Sequence, residues 1–304
     1  MAVALSQIKS ELLPGLFDVR GSYDMIPRQW DKVFTTHKSN MALERSTQMR
    51  FLGLPQLKAE GGATAFDNNA GERWVFNFEH QEVALGYAIT RKAIDDNLYK
   101  AQFNPTNLKL QESFAQFKEI QGANILNTAT TYNAAIGGDG QALCSTAHPY
   151  DGGTWANKPT IDVDLSEGTL LQAMINIRTG FYNEAGLRIL SRARRLVVPP
   201  ALEPTAIRLT KTELRPGTAN NDVNAILTTS GGLPEGYIVL DFLTSNYAWF
   251  LTTNVDGLVH MLRMPFEMDM QVDFVTDNLL VKGYERYSFG YNDPRAIYGS
   301  FPTS

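Results

Sequence analysis

The sequence predicts an α+β protein, and three observations predict it. Residues 72–78 set Trp74, Phe76 and Phe78 alternating with polar or aliphatic neighbours, the period-two mark of a strand. After Asn104-Pro105, the apolar residues Leu110, Phe114 and Phe117 recur at helical spacing towards Tyr132, which predicts one long helix. From 196 to 252 strand-like and helical runs alternate, and 268–291 is rich in strand formers; the alternation predicts a small α/β module.

Composition sets the limits. The chain has 304 residues, 43% hydrophobic and only 19% charged, against roughly 25% charged in an average soluble domain. A sizeable core is affordable, and a disordered or fibrous chain is excluded. Low charge combined with 11% aromatic residues points to surface covered by further copies of the chain. The net charge of -5 argues against a protein whose main affinity is for phosphates. A single cysteine, Cys144, rules out an intrachain disulfide. No run approaches the ~18 apolar residues of a membrane span, and the N-terminus does not read as a signal peptide; cytoplasmic synthesis and no membrane partner are expected.

Taken in order, residues 1–45 are broken by Pro14, Gly15, Gly21 and Pro27, yet carry Leu12, Leu16, Phe17, Trp30 and Phe34. Such a stretch must lie against another surface. Residues 46–90 read as a hairpin: a run at 63–66, a turn at Asp67, Asn68, Asn69 and Gly71, then the aromatic return strand. An isolated hairpin is marginal in water, so this one is expected to rest on another subunit. Thr90 caps a short helix reaching Tyr99, and Asn104-Pro105 reads as N-cap and first helical residue of the long helix. Gly122 interrupts that helix at about 1 kcal/mol relative to alanine. Glycine turns fill 133–160, Ser166 caps a helix carrying Leu170, Leu171, Met174, Ile175, Ile177 and Phe181, and Lys282-Gly283 reads as a bulge or bend.

Candidate chemistry is sparse. Cys144 and His148 stand four apart, and a nearby imidazole can activate a thiol. Pro149 and flanking glycines argue against helical geometry, so a loop cysteine and a turn histidine are favoured over a cysteine hydrolase. Asp139-Gly140 and Asp256-Gly257 lack the remaining oxygen ligands of a calcium loop. Gly231-Gly232 lacks the lysine of a phosphate loop. The aromatic face could stack bases, but few cations accompany it. No catalytic, metal or cofactor site is expected.

Two stretches carry a resemblance. Residues 139–150 (DGQALCSTAHPY) resemble the glycine-turn and S-T-x-H-P segment of Mu-like prophage major head subunits. Residues 196–224 (LVVPPALEPTAIRLTKTELRPGTANNDVN) are similar to the same family in strand, double proline, helix and loop, and Ala248-Trp249-Phe250-Leu251 fits as well. The likeness covers about the last half of the chain.

This resemblance implies the Hong Kong 97-type fold of tailed-phage capsid proteins, with an N-arm at 1–45, an E-loop hairpin at 46–90, a peripheral domain with the spine helix at 91–134, an axial domain at 135–263 and return strands at 264–304. It implies a major head subunit that forms pentamers and hexamers, then an icosahedral shell around double-stranded DNA. Expected subunit contacts are Phe66, Asp67, Asn68, Asn69, Gly71, Trp74, Phe76 and Phe78 on the E-loop, and Leu12, Leu16, Phe17 and Trp30 on the arm. Partners implied are a separate scaffolding protein, because the chain enters the arm directly from Met1, a portal protein, and a decoration protein. Some relatives cross-link a hairpin lysine to an asparagine, and Lys58 is the only lysine between Lys38 and Lys92; no asparagine or glutamate partner is identifiable for it. Competing readings are an encapsulin-like compartment, told apart by its cargo, and a host-binding or decoration module, told apart by small oligomers in solution.

Overall fold

A computed structural model describes residues 23–67, 71–96, 100–212, 224, 226–227 and 232–303. Strand β1 (Thr35–Lys38) runs parallel to β10 (Leu258–Val272), which pairs antiparallel with β11 (Leu279–Tyr291), and β11 with β4 (Gln81–Ile89). A second sheet has the order β12-β9-β7-β8, from β7 (Ala193–Val198), β8 (Tyr237–Val239), β9 (Trp249–Thr253) and β12 (Ile297–Ser300). Two short ladders complete the strands: β2 (Leu43–Met49) with β3 (Glu72–Glu79), and β5 (His148–Tyr150) with β6 (Gly153–Trp155). The helices are α1 (Arg91–Asp95), α2 (Lys100–Asn127), α3 (Glu167–Gly180) and α4 (Glu203–Lys211).

Local chemistry explains several of these elements. The Thr90 side chain accepts from the Ala93 amide and starts α1. Ser166 and Thr169 form a reciprocal capping pair at the start of α3. Within α3, Leu170, Ala173 and Ile177 are buried, a spacing of three and four that puts them on one face. Ile175, expected in that stripe, is exposed because it lies off that face.

The spine helix α2 has 28 residues, about 42 Å at ~1.5 Å per residue. It begins earlier than the Asn104-Pro105 signal implied, and Pro105 lies inside it. Phe103 is buried in the same cluster as Leu110, Phe114, Phe266 and Met270, so packing on the long sheet draws the helix start upstream. The helix also stops short of Tyr132. Asn127 turns its side chain to the Phe242 carbonyl at 3.2 Å and the Thr244 amide at 3.0 Å, tying the helix end to the loop after β8. Gly122 has a packing reason: a β-carbon there would lie 3.1 Å from that of Trp30. Gly283 does not mark a bulge, since the register shifts fall on β10 between Leu262 and Glu267. Its bare backbone admits the Phe114 ring, which would stand 2.8 Å from a β-carbon.

Three clusters of buried side chains hold the molecule. One lies between α2 and the long sheet, one inside the α/β module, and the third joins Trp30, Phe34, Phe76, Phe78, Leu126 and Phe250 where the parts meet. The last strand, β12, pairs with β9, so residues 297–300 return to the α/β sheet rather than to the long strands. Residues 258–263 conversely begin the long strand β10.

His260 sits in the joint, its ring 4.4 Å from Trp30 and 4.7 Å from Phe289, with Nδ1 3.2 Å from Thr36 Oγ1. Burial pushes its pKa down from 6.5 to about 3, helped by the charges of Lys118 and Arg28. The unfolded chain takes up this proton below pH 6.5 while the folded one stays neutral to about 3. Stability is therefore full above pH 6.5 and falls on acidification, at most by about 1.4 kcal/mol per pH unit. In urea titrations at a series of pH values, His260→Phe should flatten this acid limb; an unchanged slope would assign it to other groups.

Candidate assembly surfaces

The hairpin expected at 63–78 is built differently. β3 pairs with residues 43–49, with Ser46 opposite Phe76, and 63–66 form no strand. Between Arg50 and Gly71 the chain makes a long excursion, closed at its root by the Arg50 amide on the Gly71 carbonyl at 2.9 Å. Asp67 accepts from the Gly53 amide at 2.8 Å, a second tie across the excursion.

The root is fastened to the chain's own α/β module. Asp151, after β5, receives both Arg50 and Arg73, the latter at 3.0 Å, and Arg73 also reaches the Glu184 carbonyl. Further down, the Asn77 amide donates to the Ile136 carbonyl at 2.7 Å and the Gly138 amide to the Val75 carbonyl at 3.0 Å. Gly138 has a left-handed φ of +94°, and a β-carbon there would overlap the Phe76 ring. Gly138→Ala should therefore destabilise the fold by roughly 2–4 kcal/mol, combining left-handed strain with overpacking. Urea unfolding measures it, and a loss under 1 kcal/mol would show that Phe76 gives way freely.

These contacts correct part of the expected contact set. Phe76 and Phe78 are 1% and 2% exposed, and Trp30 is 5% exposed; all three belong to the chain's own central cluster. They have almost no surface to offer a neighbour, because β3 lies over Gly137-Gly138 and the N-terminal segment lies over α2. Glu119 on α2 accepts from the Gln29 and Trp30 amides at 2.7 and 3.1 Å, pinning that segment down. Trp74 is half-buried under the Arg73 guanidinium at 4.5 Å. Leu12, Leu16, Phe17, Asn68 and Asn69 lie outside the described residues.

What stands free is the excursion beyond the root. Phe51, Leu52, Leu54, Leu57 and Phe66 are all exposed, Leu54 at 73% and Phe66 at 85%. Four of these five escaped sequence reasoning. Their signal is the run FLGLPQL, apolar but broken by Gly53 and Pro55, so that it fits neither the period of a strand nor that of a helix. Lys58 is exposed in the same stretch.

The thiol and imidazole do not form a dyad. Both His148 ring nitrogens are engaged, Nδ1 with Asp139 at 2.6 Å and Nε2 with Asn157 Oδ1 at 3.1 Å. The ring stacks on Trp155 at 4.6 Å. Cys144 is buried, and burial pushes its thiol pKa up, which is the reverse of activation. Asn157 holds this loop in place: it donates to the Leu143 and Pro294 carbonyls and accepts from the Ser145 amide. The segment is a structural knot. Among the described residues, no group of His, Cys, Asp and Glu could hold a metal ion.

Comparison of the fold with solved structures defines the class. A virus-like particle from Pyrococcus furiosus matches over 96% of this chain and 100% of its own, with 10% identity and a TM-score of 0.57. The mature capsid of bacteriophage PhiM1 matches over 90% and 87%, with 10% identity and a TM-score of 0.55. The procapsid of bacteriophage JBD30 matches over 99% and 76%, with 13% identity and a TM-score of 0.52. At such identities the likeness is one of fold, and the fold is the Hong Kong 97-type capsid fold. By sequence, residues 79–300 match the phage capsid protein family, and the chain belongs to that family. Family and fold together make it a major capsid protein located in the virion shell. Among curated proteins, none matches its sequence.

Proposed function

We propose that this chain is the head subunit of a Mu-like tailed phage, assembling as pentamers and hexamers into an icosahedral shell around double-stranded DNA. The observation that carries the reading is the row of exposed apolar side chains Phe51, Leu52, Leu54, Leu57 and Phe66, which no described residue of the chain buries. Exposed apolar surface of this kind marks an interaction site. A loop fixed at its root and free beyond it can reach a neighbour, and head-to-tail contacts of that type close into rings. Many modest contacts acting together then hold the shell. Phe66, Leu54 and Leu57 are the contacts of this loop; Leu12, Leu16 and Phe17 are those of the arm. The net charge of -5 suits a container that must not bind its genome tightly.

In this reading the subunit turns over no substrate and is assembled in the host cytoplasm with a separate scaffolding protein and a portal protein; a decoration protein can be added outside. The partition into arm (1–45), E-loop (46–90), peripheral (91–134, 264–304) and axial (135–263) parts is proposed as a functional division, with residues 297–300 lying in the axial sheet and 258–263 in the long strand β10. Lys58 is not expected to cross-link, and a covalent ladder on a denaturing gel of mature particles would reverse that. The direct test is negative-stain microscopy and light scattering on the purified protein, alone and with the phage's candidate scaffolding protein. Closed shells or rings are expected, with nucleic acid rather than enzymes as cargo in particles from infected cells. A stable monomer under both conditions would overturn self-assembly.

A further inference from the structure

Two surfaces at opposite ends of the α/β module carry opposite charge, each beside an apolar feature. At one end a cavity of about 330 Å³ has Met174, Ala193 and Pro234 among its lining, with Arg178, Arg192 and Arg194 around it. Arg194 is shared with Glu235, whereas Arg178 and Arg192 are exposed and form no ion pair among the described residues. An apolar floor with a cationic rim fits an aliphatic side chain flanked by carboxylate better than a phosphate backbone, which offers nothing for the floor.

The same chain presents such a segment. Ile161 is 78% exposed, and the sequence continues Asp162-Val163-Asp164. Asp162 is held by Lys158 at 3.1 Å. Asp164 is exposed, and its carboxylate takes no bond among the described residues. Within one molecule the two surfaces are held apart. The Val163 carbonyl accepts from Trp249 Nε1 and Ser300 Oγ, both at 2.9 Å, at the first residue of β9 and the last of β12. Ala193 pairs with Thr253 at the far end of β9. Helix α3 likewise runs from its Ser166 cap, two residues past Asp164, to Arg178 in its last turn, about 20 Å away at ~1.5 Å per residue.

Resting on the shell reading above, we propose that these surfaces meet between successive copies: Ile161 of one subunit seats in the arginine-rimmed cavity of the next, with Asp164 facing Arg178 and Arg192. A contact joining opposite ends of one module repeats head to tail, and it closes a ring when the rotation between copies divides a full turn. The charges fix its direction and register.

The test is a charge exchange in the full-length chain. Asp164→Arg and Arg192→Glu should each cut shell yield about tenfold while leaving circular dichroism unchanged, since like charges then oppose one another. The double variant should return to within about threefold of the parent. In parallel, Ile161→Cys with Met174→Cys should give an oxidised ladder of dimers and higher species on a non-reducing gel, a readout independent of yield; Cys144 is buried and cannot substitute. Single reversals that assemble at parental yield would overturn this contact alone, as would a double variant without rescue together with no disulfide ladder. Normal shells of Arg192→Glu that fail only to retain nucleic acid would hand the rim to the genome instead. A parent chain that never assembles would overturn this contact and the shell reading together.

Discussion

Replacing Leu54, Leu57 and Phe66 together by aspartate should leave the subunit folded and abolish shells. All three side chains lie in the stretch between Arg50 and Gly71, and all are exposed, so the subunit loses no core packing. Burying one such side chain is worth about 1.5–3 kcal/mol, so three of them account for roughly 4–9 kcal/mol at each seat of the loop on a neighbour. Aspartate not only removes this burial but adds a desolvation cost at the same seat. Thermal unfolding followed by circular dichroism should match the parent. Light scattering and microscopy should find only monomers or small oligomers. Shells of ordinary size and yield would show that the loop is not what joins the copies.

The second large effect is on stability. Lys118 of α2 and Glu285 of β11 form a buried ion pair, at 5% and 2% side-chain exposure. Tyr23 donates to the other carboxylate oxygen at 3.2 Å, and the ammonium lies over the Tyr287 ring at 4.7 Å. Burial drives Lys118 down and Glu285 up, each opposed by its partner's charge. Removing one member leaves the other charge buried and alone, at a cost of about 3–5 kcal/mol. Lys118→Met and Glu285→Leu should each lose that much in urea unfolding. The double variant, with Tyr23→Phe to avoid an orphaned hydroxyl, should lose far less than their sum. Simple additivity would show that the two groups do not depend on one another. The pair joins the spine helix, the long sheet and the root of the arm, so the single variants should also loosen the segment from Tyr23 to Trp30.

Much of the architecture was legible from local chemistry. The caps at Thr90 and Ser166 and the strands at 72–79, 193–198 and 249–253 need only their own residues and near neighbours. The partner of β3 was not legible. Residues 43–49 read LERSTQM, a polar strand half in solvent, with no apolar alternation to announce it. Nor could periodicity say which aromatics face inward: Phe76 and Phe66 are both plausible contacts in sequence, yet one lies under Gly138 and the other in solvent. The glycines show the same limit. Gly122 and Gly283 look like a flaw and a bend; at Gly283 the Phe114 ring comes too close for a β-carbon, and at Gly122 Trp30 leaves only a tight fit.

The linear chain by itself determined the element types, the capped helix starts, the absence of disulfide support and the words that resemble a phage head subunit. Those properties depend on φ/ψ preference, side-chain spacing and composition, all of them local. Tertiary structure alone decided that the hairpin's Phe76 and Phe78 serve the chain's own core, that Cys144 is buried, and that the apolar run at 51–57 is left in solvent. It also decided that an arginine-rimmed cavity and Asp164 lie at opposite ends of one module. Burial is a property of what packs from a distance in sequence: Trp30 meets Gly122, Phe76 meets Gly138 and Glu285 meets Lys118 only once sheet and helix have closed on each other.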